Sequence, residues 1–229
     1  MSTFKIQENK IRPVALTATG LFMFFAALYF SPVQIPHKIT LTVGSAFIAS
    51  LWLCPWQITL ALLFSALGDF MGSCDNFLGQ MGFFTVSHFF FIAFFLERYL
   101  KKVERDRKLS LKAKGYLSMV AFCVTSLLVV VFTRIYPLAE AGIIRTGVGV
   151  YACVICIMLV TALLQRSSLY ALGAVLFVFS DFILAWNKFV EPIPYRHYLV
   201  LVSYFLAQWL LFIRSTPYRV APEMRLLRF

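Results

Sequence analysis

A chain of 229 residues with 61% hydrophobic and 14% charged residues departs far from soluble proteins, where about 45–50% of residues are apolar and about 25% charged. Its 25 Phe, 10 Tyr and 4 Trp exclude disorder as well, because water does not tolerate that much apolar surface on an unfolded chain. The net charge of +11 would suggest nucleic acid only if the cations shared one folded surface, and they fall instead between apolar runs.

At about 20 residues per span, the chain has room for about eight transmembrane helices with short loops. The first apolar run, 14–31, follows Lys5, Lys10 and Arg12 and ends in Tyr29-Phe30-Ser31-Pro32 with no small-residue cleavage site, so a retained anchor is expected rather than a removed signal peptide. Runs at 38–54 and 56–74 flank Pro55. One continuous helix there would exceed about 50 Å at about 1.5 Å per residue, well beyond a hydrocarbon layer of about 30 Å. A tight hairpin at Cys54-Pro55-Trp56 is predicted instead, with Trp56 at the interface. Further helices are expected over 79–98, 115–134, 142–164, 169–188 and 197–213. The expected fold class is all-α, a polytopic membrane bundle of eight transmembrane helices forming a single integral membrane domain over residues 1–229.

An even helix count puts both termini on one side. That side carries three Lys and Arg before the first run, eight between Arg98 and Lys114, Arg166, and four from Arg214 onward; the opposite side has Lys38, Arg134, Arg145, Lys188 and Arg196. The excess of 16 against 5 places both termini in the cytoplasm, where the cations meet anionic head groups rather than nucleic acid. The five cysteines, Cys54, Cys74, Cys123, Cys153 and Cys156, lie mostly in apolar runs and are expected to behave as small hydrophobes. Cys153 and Cys156 form a C-x-x-C without the further Cys or His ligands that a zinc or redox site needs.

Charged groups deep in a bilayer cost about 2.5–3.5 kcal/mol each on insertion scales, so Asp69 in the third run and Asp181 in the seventh need a reason. They sit in a faint internal echo: Leu63–Phe70 is followed by Phe77 and Val175–Phe182 by Phe189, each half reading small residue, Asp, Phe, then Phe again beyond. Helices four apart run the same way, so a relic duplication would be parallel. The fourth run adds His88, the sixth Tyr151, and the eighth Tyr204 and Gln208; all six can face one interior. Counted from the run ends at about 1.5 Å per residue, Asp69 lies about 13 residues in, Asp181 about 12, and His88 about 9 from the other side, which sets the three at nearly one depth. A purely structural account has each Asp hydrogen-bonded to a neighbour, with Gly68 and Gly72 letting helices approach. The matched depth favours a functional constellation.

Two carboxylates in a low-dielectric site do not both ionise cheaply, so one keeps its proton while its partner stays charged. An acid and a base in one pocket suit hydrolysis of a bond that must first be protonated, with water activated by the second carboxylate. Phe70, Phe83, Phe84, Phe89, Phe91, Phe179 and Phe182 would suit a long acyl or alkenyl chain.

These residues also carry a family likeness. The stretches are Ala66-Leu67-Gly68-Asp69 in the third run and Phe77-Leu78-Gly79 through Phe84 to His88 in the fourth. Tyr151 and Met158 follow in the sixth, then Gly173-Ala174 through Phe177 to Ser180-Asp181, with Ala185, Asn187 and Phe189, and finally Tyr204-Phe205-Leu206-Ala207-Gln208. In that order and spacing, across about residues 35–213, the sequence resembles the YhhN-like lysoplasmalogenases, polytopic membrane hydrolases of alkenyl-ether lysophospholipids. It departs from the family where a Tyr often follows the fourth-span His by three residues and Phe91 stands here, and where a Lys-Pro tends to open the second span and Lys38 is followed by Ile39.

The resemblance implies cleavage of the vinyl ether at position 1 of a lysoplasmalogen with a choline or ethanolamine head group, giving a fatty aldehyde and a glycerophospho-base without metal or organic cofactor. It implies Asp69 and Asp181 as catalytic residues, with His88, Lys38, Tyr151, Asn187, Tyr204 and Gln208 binding or orienting the substrate. Lys38 reads equally well as an interface lysine whose ammonium snorkels to water. The implied partners are the lysophospholipid and membrane lipid, with a homodimer left open, in the cytoplasmic membrane if the source is bacterial. An intramembrane aspartyl protease also needs two transmembrane Asp, but its G-x-G-D motif reads Ala66-Leu67-Gly68-Asp69 here, and no Pro-Ala-Leu stands in a late span. A proton-coupled or lipid transporter would favour helices broken by Gly or Pro at mid-membrane, whereas the seventh run has only Gly173, near its start.

Overall fold

The computed structural model describes residues 2–103 and 111–216, and they are all-helical, with no strand among them. The eight α-helices are α1 (Ser2–Phe30), α2 (Lys38–Leu53), α3 (Trp56–Ser73), α4 (Phe77–Val103), α5 (Leu111–Val130), α6 (Ile143–Leu163), α7 (Ser168–Phe189) and α8 (Arg196–Ser215). Six segments are long and apolar enough to cross a membrane: Pro13–Phe30 of α1, Phe77–Lys101, Ser118–Leu138, Ile143–Leu163, Ser168–Phe189 and Arg196–Ser215. The chain is an integral membrane protein. The other two helices are shorter or more polar: α2 has 16 residues, and α3 has 18 that include Gln57 and Asp69. Their lengths are about 24 Å and about 27 Å. Of the cations assigned to the cytoplasmic side, Arg105, Arg107, Lys108, Arg219, Arg225 and Arg228 lie outside the described residues.

Local chemistry sets the helix ends. Cys54 and Pro55 are both extended, with ψ of 159° and 151°, because proline restrains the residue before it to the β region. The hairpin therefore falls where it is predicted, with Trp56 63% exposed. The reversal between α3 and α4 is tighter. Asp75 takes a left-handed φ of 57°, and the Asn76 and Asp75 amides donate back to the carbonyls of Met71 and Gly72 at 2.9 and 3.2 Å, a Schellman closure of α3. Asn76 then caps α4, its Oδ1 accepting from the Gly79 amide at 2.8 Å. That cap starts α4 at Phe77, two residues ahead of the expected run.

At the far end of α5 the helix widens into a π turn over Val131–Ile135 and a short 3-10 turn over Tyr136–Leu138. Arg145, at the start of α6, closes this corner by donating to the Ala139 carbonyl at 2.8 and 3.0 Å and to that of Pro137 at 3.1 Å.

The helices group into two compact units. One comprises the chain up to Phe90 with the part from Gln208 onward; the other is Phe91–Ala207. In the first, α2 packs between α1 and α3 over a core that includes Phe22, Val43, Ala46, Ile58 and Leu62. In the second, α6 lies against α5 and α7, and Phe95, Met158, Tyr170 and Phe177 are fully buried. Arg98 is held there between the rings of Phe94 and Tyr170, 5.5 and 5.9 Å from their centroids, and donates to Gln165 Oε1 at 3.2 Å.

Candidate active site

In the first unit, α3 and α4 cross at a notch cut by glycine. A Cβ on Gly68 would stand 3.1 Å from the Phe84 ring and 3.3 Å from the Gln80 carbonyl oxygen, whereas one on Gly72 would meet only the end of the Gln80 side chain, at 2.7 Å. Phe84 is buried and the carbonyl belongs to the α4 backbone, so neither yields readily; the Gln80 amide can swing away. Gly68→Ala is therefore expected to destabilise the protein by about 1–2 kcal/mol through overpacking. Gly72→Ala stays near neutral, because alanine also favours the helix by about 1 kcal/mol. Thermal unfolding of the two variants in one detergent checks this, and equal midpoints would show that the notch is not tight.

Asp69, the residue after Gly68, is 3% exposed, and His88 on α4 is fully buried. A serine pair accompanies them that the sequence reading does not single out. Ser65, one turn before Asp69, bonds Ser87 at 2.8 Å, and Ser87 donates to the Ala61 carbonyl at 2.8 Å. The signal for it is present in the spacing, since Ser65 shares the Asp69 face at i, i+4 and Ser87 adjoins His88. Gln208, on the part of α8 belonging to this unit, is also fully buried.

Lys38 opens α2, and its ammonium donates to the Ser31 carbonyl at 3.1 Å. Its neighbour His37, in a left-handed conformation with φ of 54°, packs on Phe70 with ring centroids 4.8 Å apart and reaches Ser73 Oγ at 2.5 Å through Nδ1. Ser73 also reaches the Phe70 carbonyl at 2.7 Å, so its hydroxyl links His37 to the α3 backbone. Lys38 thus stands at the end of the unit where α3 terminates. Asp69 lies one turn inside that end.

In the second unit, Tyr151 of α6 donates its hydroxyl proton to Asp181 Oδ2 on α7. Ser180, buried beside Asp181, donates to the Val200 carbonyl at 2.9 Å and ties α7 to α8. Tyr204 is 4% exposed and meets the fully buried Phe177 edge-on at 5.4 Å. Asn187 holds the turn after α7, its Oδ1 accepting from the Ile193 amide at 3.0 Å.

Each expected residue therefore lies on a helix that presents it within one unit: Lys38, Asp69, His88 and Gln208 in the first, Tyr151, Asp181, Asn187 and Tyr204 in the second. The phenylalanines divide. Phe84 and Phe91 are core, while Phe70, Phe89 and Phe179 lie on the surface. Along the helices, Asp69 is four residues from Ser73, Asp181 eight from Phe189 and His88 eleven from Phe77, or about 6, 12 and 17 Å. Among the described residues no three His, Cys, Asp or Glu side chains gather as a metal site.

A model described as the YhhN family matches residues 33–215. The chain is 38% identical over 64 residues to lysoplasmalogenase TMEM86B of Homo sapiens, a stretch covering 28% of each protein. It is 28% identical over 164 residues to lysoplasmalogenase TMEM86B of Mus musculus, covering 70% of this chain and 63% of that protein. It is 29% identical over 180 residues to lysoplasmalogenase TMEM86A of Bos taurus, covering 73% and 68%. The match thus spans less than two thirds of the length of either TMEM86B relative. No solved structure matches.

Proposed function

The chain belongs to the YhhN family, and from that premise we propose that it is a lysoplasmalogenase, hydrolysing the vinyl ether of a 1-alkenyl-glycerophosphocholine or -ethanolamine to a fatty aldehyde and a glycerophospho-base. The relatives named above carry that activity in their names. In this reading Asp69 and Asp181 form the acid and base pair, His88, Tyr204 and Gln208 orient the substrate, and Lys38 and Asn187 serve its polar end. Both termini face the cytoplasm, as the distribution of Lys and Arg supports.

One observation carries the reading. Asp69 is a carboxyl 3% exposed, a single turn from the end of an apolar helix. The ether at position 1 joins the hydrocarbon chain to glycerol, so it lies where the apolar layer gives way to head groups, and a group about 6 Å from a helix end suits that level. A vinyl ether needs a proton donor before water can attack, and a sheltered carboxyl can hold one.

Purified protein mixed with alkenyl and acyl lysophospholipids of one head group, with mass-spectrometric detection of products, tests the proposal. Aldehyde release from the alkenyl lipid alone is expected. Release of fatty acid from the acyl lipid, with the alkenyl lipid left intact, would overturn it.

A further inference from the structure

Tyr151 and Asp181 are far apart in sequence and meet where α6 packs on α7, the phenol donating to Asp181 Oδ2. We infer that Tyr151 is a positioning residue that fixes Asp181 as the proton acceptor of the hydrolysis. This deepens the vinyl-ether reading and rests on it.

The argument is one of donors and acceptors. A half-buried phenol on an apolar helix needs a partner, because leaving a hydroxyl unmatched in an apolar setting is costly. Tyr151 finds its partner in Asp181. An ionised carboxylate is acceptor-only, while a protonated one has a hydrogen of its own to place, so a hydroxyl already aimed at the group casts it as the acceptor. A hydrogen bond to an ionised acceptor is also roughly twice as strong as one between neutral groups. The Ser180 bond to the Val200 carbonyl at 2.9 Å fixes α7 at this level. The carboxylate is thus held by its own oxygen from α6 and by its backbone through α8.

With those roles the reaction closes. The carbon–carbon double bond takes a proton from the acid of the reaction at the carbon remote from the ether oxygen, forming a C–H bond and an oxocarbenium ion. Water adds to the neighbouring carbon while Asp181 accepts one of its protons. As the hemiacetal collapses, Asp181 returns that proton to the departing glycerol oxygen, and the acid regains its proton from the hydroxyl as the carbonyl forms. One water is consumed, and acid and base regain their starting states.

Deuterium exchange into unreacted substrate separates the roles. The full chain is incubated with 1-alkenyl-glycerophosphocholine in deuterium oxide, and recovered substrate is weighed by mass spectrometry. Asp181→Asn and Tyr151→Phe still form the oxocarbenium ion but capture it slowly, so it reverts and leaves deuterium at the vinyl carbon, several-fold above wild type per turnover. Tyr151→Phe lowers kcat about tenfold and leaves KM within about twofold, the pattern of a group acting after binding. Asp69→Asn shows neither turnover nor exchange.

Exchange in Asp69→Asn but not in Asp181→Asn would reverse the assignment. Wild-type kcat with no exchange in Tyr151→Phe, or a change in KM alone, would make Tyr151 a packing or binding group. Should Tyr151→Phe aggregate, the two isosteric Asn variants still decide which carboxyl protonates carbon. Wild-type protein that leaves the alkenyl lipid intact would instead sink the underlying function, an outcome distinct from all of these.

Discussion

Asp69→Asn and Asp181→Asn are each expected to lower aldehyde release by about 10² or more, and the double variant to fall little further. Asparagine keeps the size and hydrogen-bonding reach of aspartate but cannot pass a proton. If the two carboxyls work as one acid and base, removing either stops the cycle and removing the second takes away nothing that still functions. Two independent structural roles would instead give losses that add in free energy. Initial rates measured in one detergent, on variants whose elution and thermal unfolding match the wild type, distinguish these cases. Near wild-type turnover in both single variants would mean that the aspartates only hold helices together.

The second expected result concerns where a solvent proton ends up. Turnover in deuterium oxide, stopped quickly with borohydride, should give a fatty alcohol with one deuterium at C2. Cleavage of a vinyl ether through an oxocarbenium ion requires a proton on that carbon, and a sheltered carboxyl equilibrated with solvent supplies a deuteron in its place. An ester hydrolase places nothing there. Mass spectrometry of the alcohol, corrected for slow enolisation of the aldehyde, reads the label directly. Unlabelled alcohol would show that the bond breaks without carbon protonation and would remove the acid role from both aspartates.

The helices themselves were legible in the sequence because apolar runs are punctuated by Pro, Gly and charge. Pro55 alone specifies the α2–α3 reversal. Helix ends were less legible, since caps rather than hydropathy fix them. Asn76 extends α4 backward to Phe77, and a π turn over Val131–Ile135 follows α5. The cap at Asn76 moves His88 from nine to eleven residues inside the start of its helix. The identities of Tyr151 and Asp181 could be read, but their bond could not. It depends on how α6 packs on α7, which period and composition leave open. The Ser65–Ser87 bond was hidden for the same reason, although Gly68 and Gly72 announced that α3 would come close to a neighbour.

The brevity of α2 and α3 has a consequence for the lipid around them. Crossing the membrane as the proposed topology has them, rods of about 24 and 27 Å would face a hydrocarbon layer of about 30 Å, and a bilayer meets a short hydrophobic element by thinning locally, at a fraction of a kcal/mol for each ångström of mismatch. The dimple so formed would lower neighbouring glycerol backbones toward the interior at the helix that carries Asp69. In the proposed function, a lysolipid resting there would bring its ether bond toward the level of that carboxyl, with its alkenyl tail still dissolved among the other chains.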